Sequence, residues 1–278
     1  MQTKTGASKR RPARYRTLLR SPTLAPPAVS RLLSLAVLAV VSATLAMFAW
    51  SASADAAASI TYVASNGKDA NPCTVITAPC KTLQRAVDVT SDFGTVRVLT
   101  PLQGSVTVAH PITIAGDSVT IVGQITIAST ESVTLQGLAL DGDYDGSFLA
   151  GILINSAAAV HIEHCTVERY TGAGIRLTAN GTELFVSDTV ARDNNDGLVN
   201  DKASVQVTIE NSRFENNALR GIVLAATRAT IVRSVVSGSF YGIYLPAGLA
   251  NIVETTVANN GRGVWMFGSA VAILVSSV

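Results

Sequence analysis

Large rigid side chains and charges are both scarce in this sequence. Aromatic residues make up 5% of it and charged residues 14%, against 48% apolar. A chain so poor in charge, and rich in Val, Ile, Thr, Ser and Gly, favours a strand-rich, repetitive body over a helical bundle. Cysteine is rarer still, three in 278 residues. No second Cys or His pair stands near Cys73 and Cys80, which argues against zinc. Cationic clusters are missing from the body as well. The first 31 residues hold eight basic side chains (Lys4, Lys9, Arg10, Arg11, Arg14, Arg16, Arg20, Arg31) and no acid. A chain cut after Ala56 keeps 13 basic residues (21 minus 8) and 18 acidic ones (19 minus Asp55), a net charge of −5. Phosphate binding needs clustered cations, so nucleic acid is not expected as a partner.

What the sequence does have begins with the N-terminus. After Arg31 an apolar run, Leu32 to Trp50, is broken only by Ser34, Ser42 and Thr44. Small residues follow, and both Ala52-Ser53-Ala54 and Ala54-Asp55-Ala56 fit a signal-peptidase exit. A basic head, an apolar core and a small-residue exit make residues 1–56 a secretory signal peptide. The alternative is an uncleaved membrane anchor, since 19 residues suffice to span a bilayer upright. Either reading sends the rest of the chain out of the cytoplasm, to the periplasm, the medium or the cell surface, with the uncleaved segment as the one membrane contact. In an oxidising compartment Cys73 and Cys80 are expected to form a disulfide that pins an N-terminal cap spanning residues 57–94. Cys165 is left over.

From residue 151 a Gly-apolar-x-apolar phrase recurs, starting at Gly151, Gly174, Gly197, Gly221, Gly242 and Gly263, with spacings of 23, 23, 24, 21 and 21. A second phrase follows each one, at Ile162, Phe185, Ile209, Ile231, Ile252 and Ile273. Three residues later stand Cys165, Asp188, Ser212, Ser234, Thr255 and Ser276, and two further on Val167, Val190, Phe214, Val236, Val257 and Val278. Each phrase is short with period-two alternation, hence a strand. One repeat cannot bury its apolar face alone. Stacked coils can, each strand pairing in parallel with its copies above and below, so that equivalent residues form columns. The second and third sets are expected as interior and corner columns, with Cys165 a small substitute in the polar corner column. Asn194, Asn195, Asn216, Asn217, Asn259 and Asn260 cluster before the recurring Gly and suit left-handed bends and stacked side-chain bonding. Looser strand-like phrases between Thr95 and Asp141 extend the solenoid upstream, so that it spans residues 95–278. Leu83, Ala86 and Val87 fall at helical spacing and predict a short capping helix over the first coil. The stop at Val278, inside a repeat and on an apolar position, reads as truncation of a longer solenoid.

These features resemble the pectin-lyase-like, right-handed parallel β-helix repeat proteins of bacteria. The head, Thr61-Tyr-Val-Ala-Ser-Asn-Gly-Lys-Asp-Ala-Asn-Pro-Cys through Pro79-Cys-Lys-Thr-Leu-Gln-Arg-Ala-Val-Asp, is similar to the first strand and cap helix of exported members. The resemblance implies an all-β, right-handed parallel β-helix solenoid. It also implies a polysaccharide lyase, hydrolase or epimerase in many relatives and no assigned activity in many others.

A lyase of this fold needs acidic Ca²⁺ ligands and an Arg or Lys base. Asp141, Asp143 and Asp145 alternate in a Gly-containing loop that suits Ca²⁺, though the distal Glu of the fuller calcium pattern is missing and a solvated turn explains them equally. Arg176 and Asp188 are the candidate catalytic pair, in a set with Arg169, Arg192, Glu168, Asp193 and Asp196 from adjacent coils; ordinary surface ion pairs are the competing explanation. Asn-Thr-Asp, paired Asp-Asp, Gly-His-Gly and Asp-Pro-His-Asp signatures are absent. His161 and His164 face opposite sides of a strand, which argues against joint ligation. The middle position of the Gly phrase points outward as Leu153, Arg176, Val199, Val223, Tyr244 and Trp265. Its aromatic end suits sugar stacking, a protein interface or a covering loop. The expected function is an exported, non-catalytic or catalytically unassigned β-helix contacting glycans or envelope components along its flank, without a resident cofactor. The alternatives are a Ca²⁺-dependent lyase of acidic glycans and a structural or adhesive surface protein.

Overall fold

The computed structural model describes residues 57–142, 148–225 and 227–278. The expected leader, residues 1–56, and Asp143 and Asp145 lie outside the described residues. Within them the chain is an all-β parallel solenoid. A typical coil contributes Ala173–Leu177 to an eight-stranded sheet, then Glu183–Ser187 and Val190–Arg192 to two legs of a sixteen-stranded sheet, before Asp196–Asn200 starts the next coil one layer on. Every strand pairing is parallel. In the early coils one long strand, such as Val133–Asp141, runs through both legs. It pairs with Ala159–Glu163 through its first half and with Thr166–Glu168 through its second.

The interior is made of columns, as a stacked repeat requires. Ile152, Ile175, Leu198, Ile222 and Ile243 form one file, each 0% exposed. Burying each such side chain contributes on the order of 1.5–3 kcal/mol. The second file differs from the sequence expectation at two of six places. It runs Ile162, Val186, Ile209, Ile231, Ile252, Leu274. Phe185 and Ile273 are one residue out of file and face outward, beside His161 and Asn251. Ala191, not Val190, faces Val167 and Phe214 in the third file, where the small Ala191 sits beside the large Phe214. The corner column likewise holds Thr189 and Ser277, rather than Asp188 and Ser276. At both places two neighbouring residues satisfied the pattern: Leu184-Phe185-Val186 and Ile273-Leu274-Val275 are apolar throughout, and each is followed by adjacent polar residues, Ser187-Asp188-Thr189 and Ser276-Ser277. Period two cannot choose between such neighbours.

What chooses is the backbone at the corner. The residue before each corner hydroxyl is left-handed: His164, Asp188, Asn211, Arg233, Glu254 and Ser276 have φ from 47° to 52°. The strand ladder breaks there, and a hydroxyl mends it. Thr189 Oγ1 accepts from Cys165 N (3.2 Å), Ser212 Oγ from Thr189 N (3.2 Å), Ser234 Oγ from Ser212 N (3.1 Å), and Thr255 Oγ1 from Ser234 N (3.3 Å). Each hydroxyl also donates to the carbonyl two residues back, as Ser212 Oγ does to Glu210 O (2.8 Å). Cys165 repeats this with its thiol on Glu163 O (3.2 Å).

The next corner is bridged by asparagine. Asn194 Oδ1 accepts from Tyr170 N (3.0 Å), and Asn217 Oδ1 from Asn194 N (3.1 Å). Nδ2 of Asn194 donates to Val167 O (3.0 Å), and that of Asn217 to Ala191 O (3.0 Å). Ser239 stands in the column with its hydroxyl buried and unbonded, and Asn260 resumes the ladder by accepting from Ser239 N (2.9 Å). Asn216 and Asn259 supply the left-handed residues beside it. This corner explains the recurring Gly. A Cβ on Gly197 would lie 2.4 Å from Gly221 O and 2.9 Å from both Asn217 Nδ2 and Phe214 Cδ1.

At the N-terminal end the helix Leu83–Asp88 buries Leu83, Ala86 and Val87 over the first coil. Thr82 caps it, accepting from Arg85 N (3.3 Å). Asp69 anchors the cap by accepting from Lys81 N and Thr82 N, both at 2.9 Å. Cys73 and Cys80 form a disulfide with Cα atoms 5.0 Å apart, beside the first strand Ala58–Val63.

The Gly column generates a paired test. Gly197→Ala should lower the unfolding free energy by roughly 1–3 kcal/mol through overpacking. Gly263→Ala, whose Cβ would meet its nearest neighbour at 4.0 Å, should be near neutral. Denaturant unfolding of both variants distinguishes them, and equal effects would contradict the account of this corner.

Candidate functional site: the outer face of the eight-stranded sheet

The strands of the eight-stranded sheet present two outward columns. One is the middle position of the Gly phrase, and the register confirms it as a single file: Leu153, Arg176, Val199, Val223, Tyr244, Trp265. The other lies just before the Gly: Ala150, Ala173, Asp196, Arg220, Tyr241, Arg262. Residues of the two columns meet on the same side: Ala173 is buried with Val199 and Val223, and Tyr241 touches Tyr244 and Trp265.

The two columns merge into three zones. Over the middle coils Ala173, Val199 and Val223 are buried together and Tyr244 packs against them. That part of the stripe is covered and offers no surface. Next to it Arg220 grips Asp196 with two bonds, Nε to Oδ1 at 2.7 Å and Nη2 to Oδ2 at 2.9 Å. Asp196 is nearly inaccessible, at 5% exposure. The bond to Asp196 holds the Arg220 guanidinium above its ordinary value, outweighing the opposing effect of burial. Beyond this pair the rings gather. Tyr241 stacks on Trp265 with centroids 4.5 Å apart and planes at 7°. Tyr244 lies tilted against both, at 5.9 Å and 5.5 Å, and Phe240 meets Tyr241 edge-on at 4.7 Å. The Arg262 guanidinium sits 4.2 Å from the Trp265 ring centre and 5.3 Å from that of Tyr241. All five side chains remain at least partly exposed.

Tyr241, Arg262 and Phe240 were not singled out from the sequence. Extending the repeat phrase one residue upstream of each Gly would have found the first two, because that position carries its own outward column. Phe240 lies outside both columns, at a corner.

The other sequence candidates are scattered. Arg176 pairs with Asp201 at 3.6 Å, whereas Asp188 sits at the left-handed corner of the other sheet with His164 at 3.8 Å. Arg176 thus has Asp201, rather than any acid of the expected set, as its ion-pair partner. Arg169 pairs with Asp141, and Arg192 with Glu168 and Asp193. Asp141 is buried, at 8% exposure. His161 stacks flat on Phe185, centroids 4.7 Å apart, on the outside of the sixteen-stranded sheet. Among the described residues no three His, Cys, Asp or Glu side chains are grouped to hold a metal ion.

The described fold, with its columns and left-handed corners, is that of a known family. The family described as right handed beta helix region matches residues 123–277, more than half of the chain. The chain belongs to this family, and its solenoid is the right-handed parallel β-helix. No curated protein matches it. The disulfide is compatible with an exported protein, and among the described residues no helix is long and apolar enough to cross a membrane.

Cys165 takes the hydroxyl position of the corner ladder, buried at 1% exposure. Burial pushes its thiol up to about 11, far from the thiolate that reacts. The folded protein near neutral pH should therefore leave Cys165 unlabelled by iodoacetamide, with labelling appearing only on unfolding. Rapid labelling of the native state, followed by mass spectrometry, would contradict a structural role.

Proposed function

We propose that this protein is an exported, non-catalytic β-helix that holds glycans against its flank, with Tyr241, Tyr244 and Trp265 as the contact platform. The observation that carries the reading is the parallel stack of Tyr241 on Trp265, set beside Tyr244 on a rigid outward sheet face. Aromatic faces with polar edges suit the apolar faces and hydroxyls of pyranose rings. A sheet holds the rings at fixed spacing, so little ordering is needed on binding. The separation of Arg176, which pairs with Asp201 on the eight-stranded sheet side, from Asp188, which stands at a corner of the other sheet, supports a contact role over a lyase built on these two residues.

Retention of the full chain on a panel of neutral and acidic polysaccharides tests this. Tyr244→Ala and Trp265→Ala should each weaken retention about tenfold, the loss expected for about 1.4 kcal/mol of stacking. Unchanged retention in both variants would remove the platform. The same panel, with and without Ca²⁺, should yield no unsaturated, ultraviolet-absorbing ends; their appearance would replace the non-catalytic reading with the lyase one.

A further inference from the structure

From Ala159 onward equivalent strands differ in length by at most one residue, but the connections from the eight-stranded sheet to the next strand do not keep one length. Residues 201–204 and 267–270 are four-residue connections, whereas 246–247 is a two-residue one. Stacking turns this difference into relief: the short connection 246–247 lies low beside the longer 267–270. The result is an open notch of about 740 Å³, walled by Ser204 and Gln206 on one side and Ser269 on the other, with Arg228, Ala247 and Leu249 on its floor. Three coil steps separate its walls, about 14 Å at the usual strand spacing. The same rule accounts for a smaller hollow of about 450 Å³ upstream, where the two-residue connection 157–158 lies between the longer 129–132 and 178–182. That hollow is lined by Ser, Thr, Asn and Ala, with no charged side chain.

The larger notch differs in holding Arg228. Most arginines of the solenoid are engaged: Arg169 with Asp141, Arg176 with Asp201, Arg192 with Glu168, Arg213 with Glu215, Arg220 with Asp196 and Arg233 with Glu210. Arg228 has no acidic partner among the described residues. Its neighbours in the outward column are Gln206, which is turned to Glu183 (3.1 Å), and Leu249. Ser204 and Ser269 line the notch, and their hydroxyls have no partner among the described residues. An exposed guanidinium on a floor with an apolar Leu249, between hydroxyl-bearing walls, matches one kind of occupant: an anionic group carried on a hydroxylated ring.

We propose that this notch is a second glycan subsite, and that Arg228 selects a glycan bearing an anionic substituent, a carboxylate or a sulfate. The inference rests on the glycan reading above, and places charge selection at the corner rather than on the aromatic platform. Tyr244 lies three residues before Ala247, so platform and notch belong to the same coils.

Binding of the full chain to three oligosaccharides of matched length, one neutral, one oligouronate and one sulfated, separates the claims. Wild type should bind at least one anionic oligomer about tenfold more tightly than the neutral one, and whichever is preferred identifies the anion. Arg228→Gln should abolish that preference while leaving neutral binding unchanged, Arg228→Lys should retain part of it, and Arg97→Gln should have no effect. Neutral binding without an anionic preference, a preference that survives Arg228→Gln, or one removed by Arg262→Gln instead, would overturn the notch and leave the platform standing. No binding of any oligomer would overturn the glycan reading and this inference together. An unchanged melting temperature of Arg228→Gln verifies that the exposed substitution leaves the fold intact.

Discussion

The structure depends on how backbone hydrogen bonding is continued around corners. Along the straight segments of the inner coils, strands pair in parallel with their copies one coil above and one below. At each bend the ladder would break, and buried unpaired amides cost free energy comparable to a lost hydrogen bond. Two columns of short polar side chains prevent this. Thr189, Ser212, Ser234 and Thr255 each take an N–H from the preceding coil and return a proton to their own strand. Asn194, Asn217 and Asn260 likewise accept an N–H from the preceding coil at the next corner, but their Nδ2 groups donate to a carbonyl of that preceding coil rather than of their own strand. The apolar files supply the bulk of the burial, but these two columns set the register in which the files stack.

That constraint explains which parts of the fold were legible in the sequence. The recurring Gly, the Ile files, the capping helix and the disulfide were all readable, because each is a residue type that one location demands. The register of two coils was not. Phe185 looked like a core residue because it is large and apolar, yet it lies on the outside against His161, and the smaller Val186 fills the core. Hydrophobicity alone does not discriminate where three apolar residues stand in a row. The hydroxyl position decides, and at Asp188-Thr189 either residue qualified by type. The left-handed φ of Asp188 assigns it to the bend and Thr189 to the ladder.

The candidate site was half legible for a related reason. Tyr244 and Trp265 repeat a named position of the phrase, so their column was countable. Tyr241 and Arg262 stand before the Gly, where a regular strand would point them inward, yet both lie against Trp265 on the outer face. The ion pairs were the least predictable feature. Stacking brings Arg192 to Glu168 directly, a same-column neighbour, whereas Arg176 reaches Asp201 on a connection outside any column. The strands of a solenoid hold a fixed rhythm because each must match two neighbours. Its connections are free to lengthen or shorten, and relief on the surface arises there.

Cross-linking measures the central claim, the corner-set register, most directly. Thr208 is the partner of Phe185 in the adjacent coil, both facing outward, and paired strands lie about 4.8 Å apart, within the span a disulfide bridges. The account predicts that Phe185→Cys with Thr208→Cys oxidises to an inter-coil disulfide, whereas Phe185→Cys with Ile209→Cys does not, since Ile209 points into the core. A bond formed by the second pair and refused by the first would place Phe185 in the interior file and contradict the role given to the corner ladder.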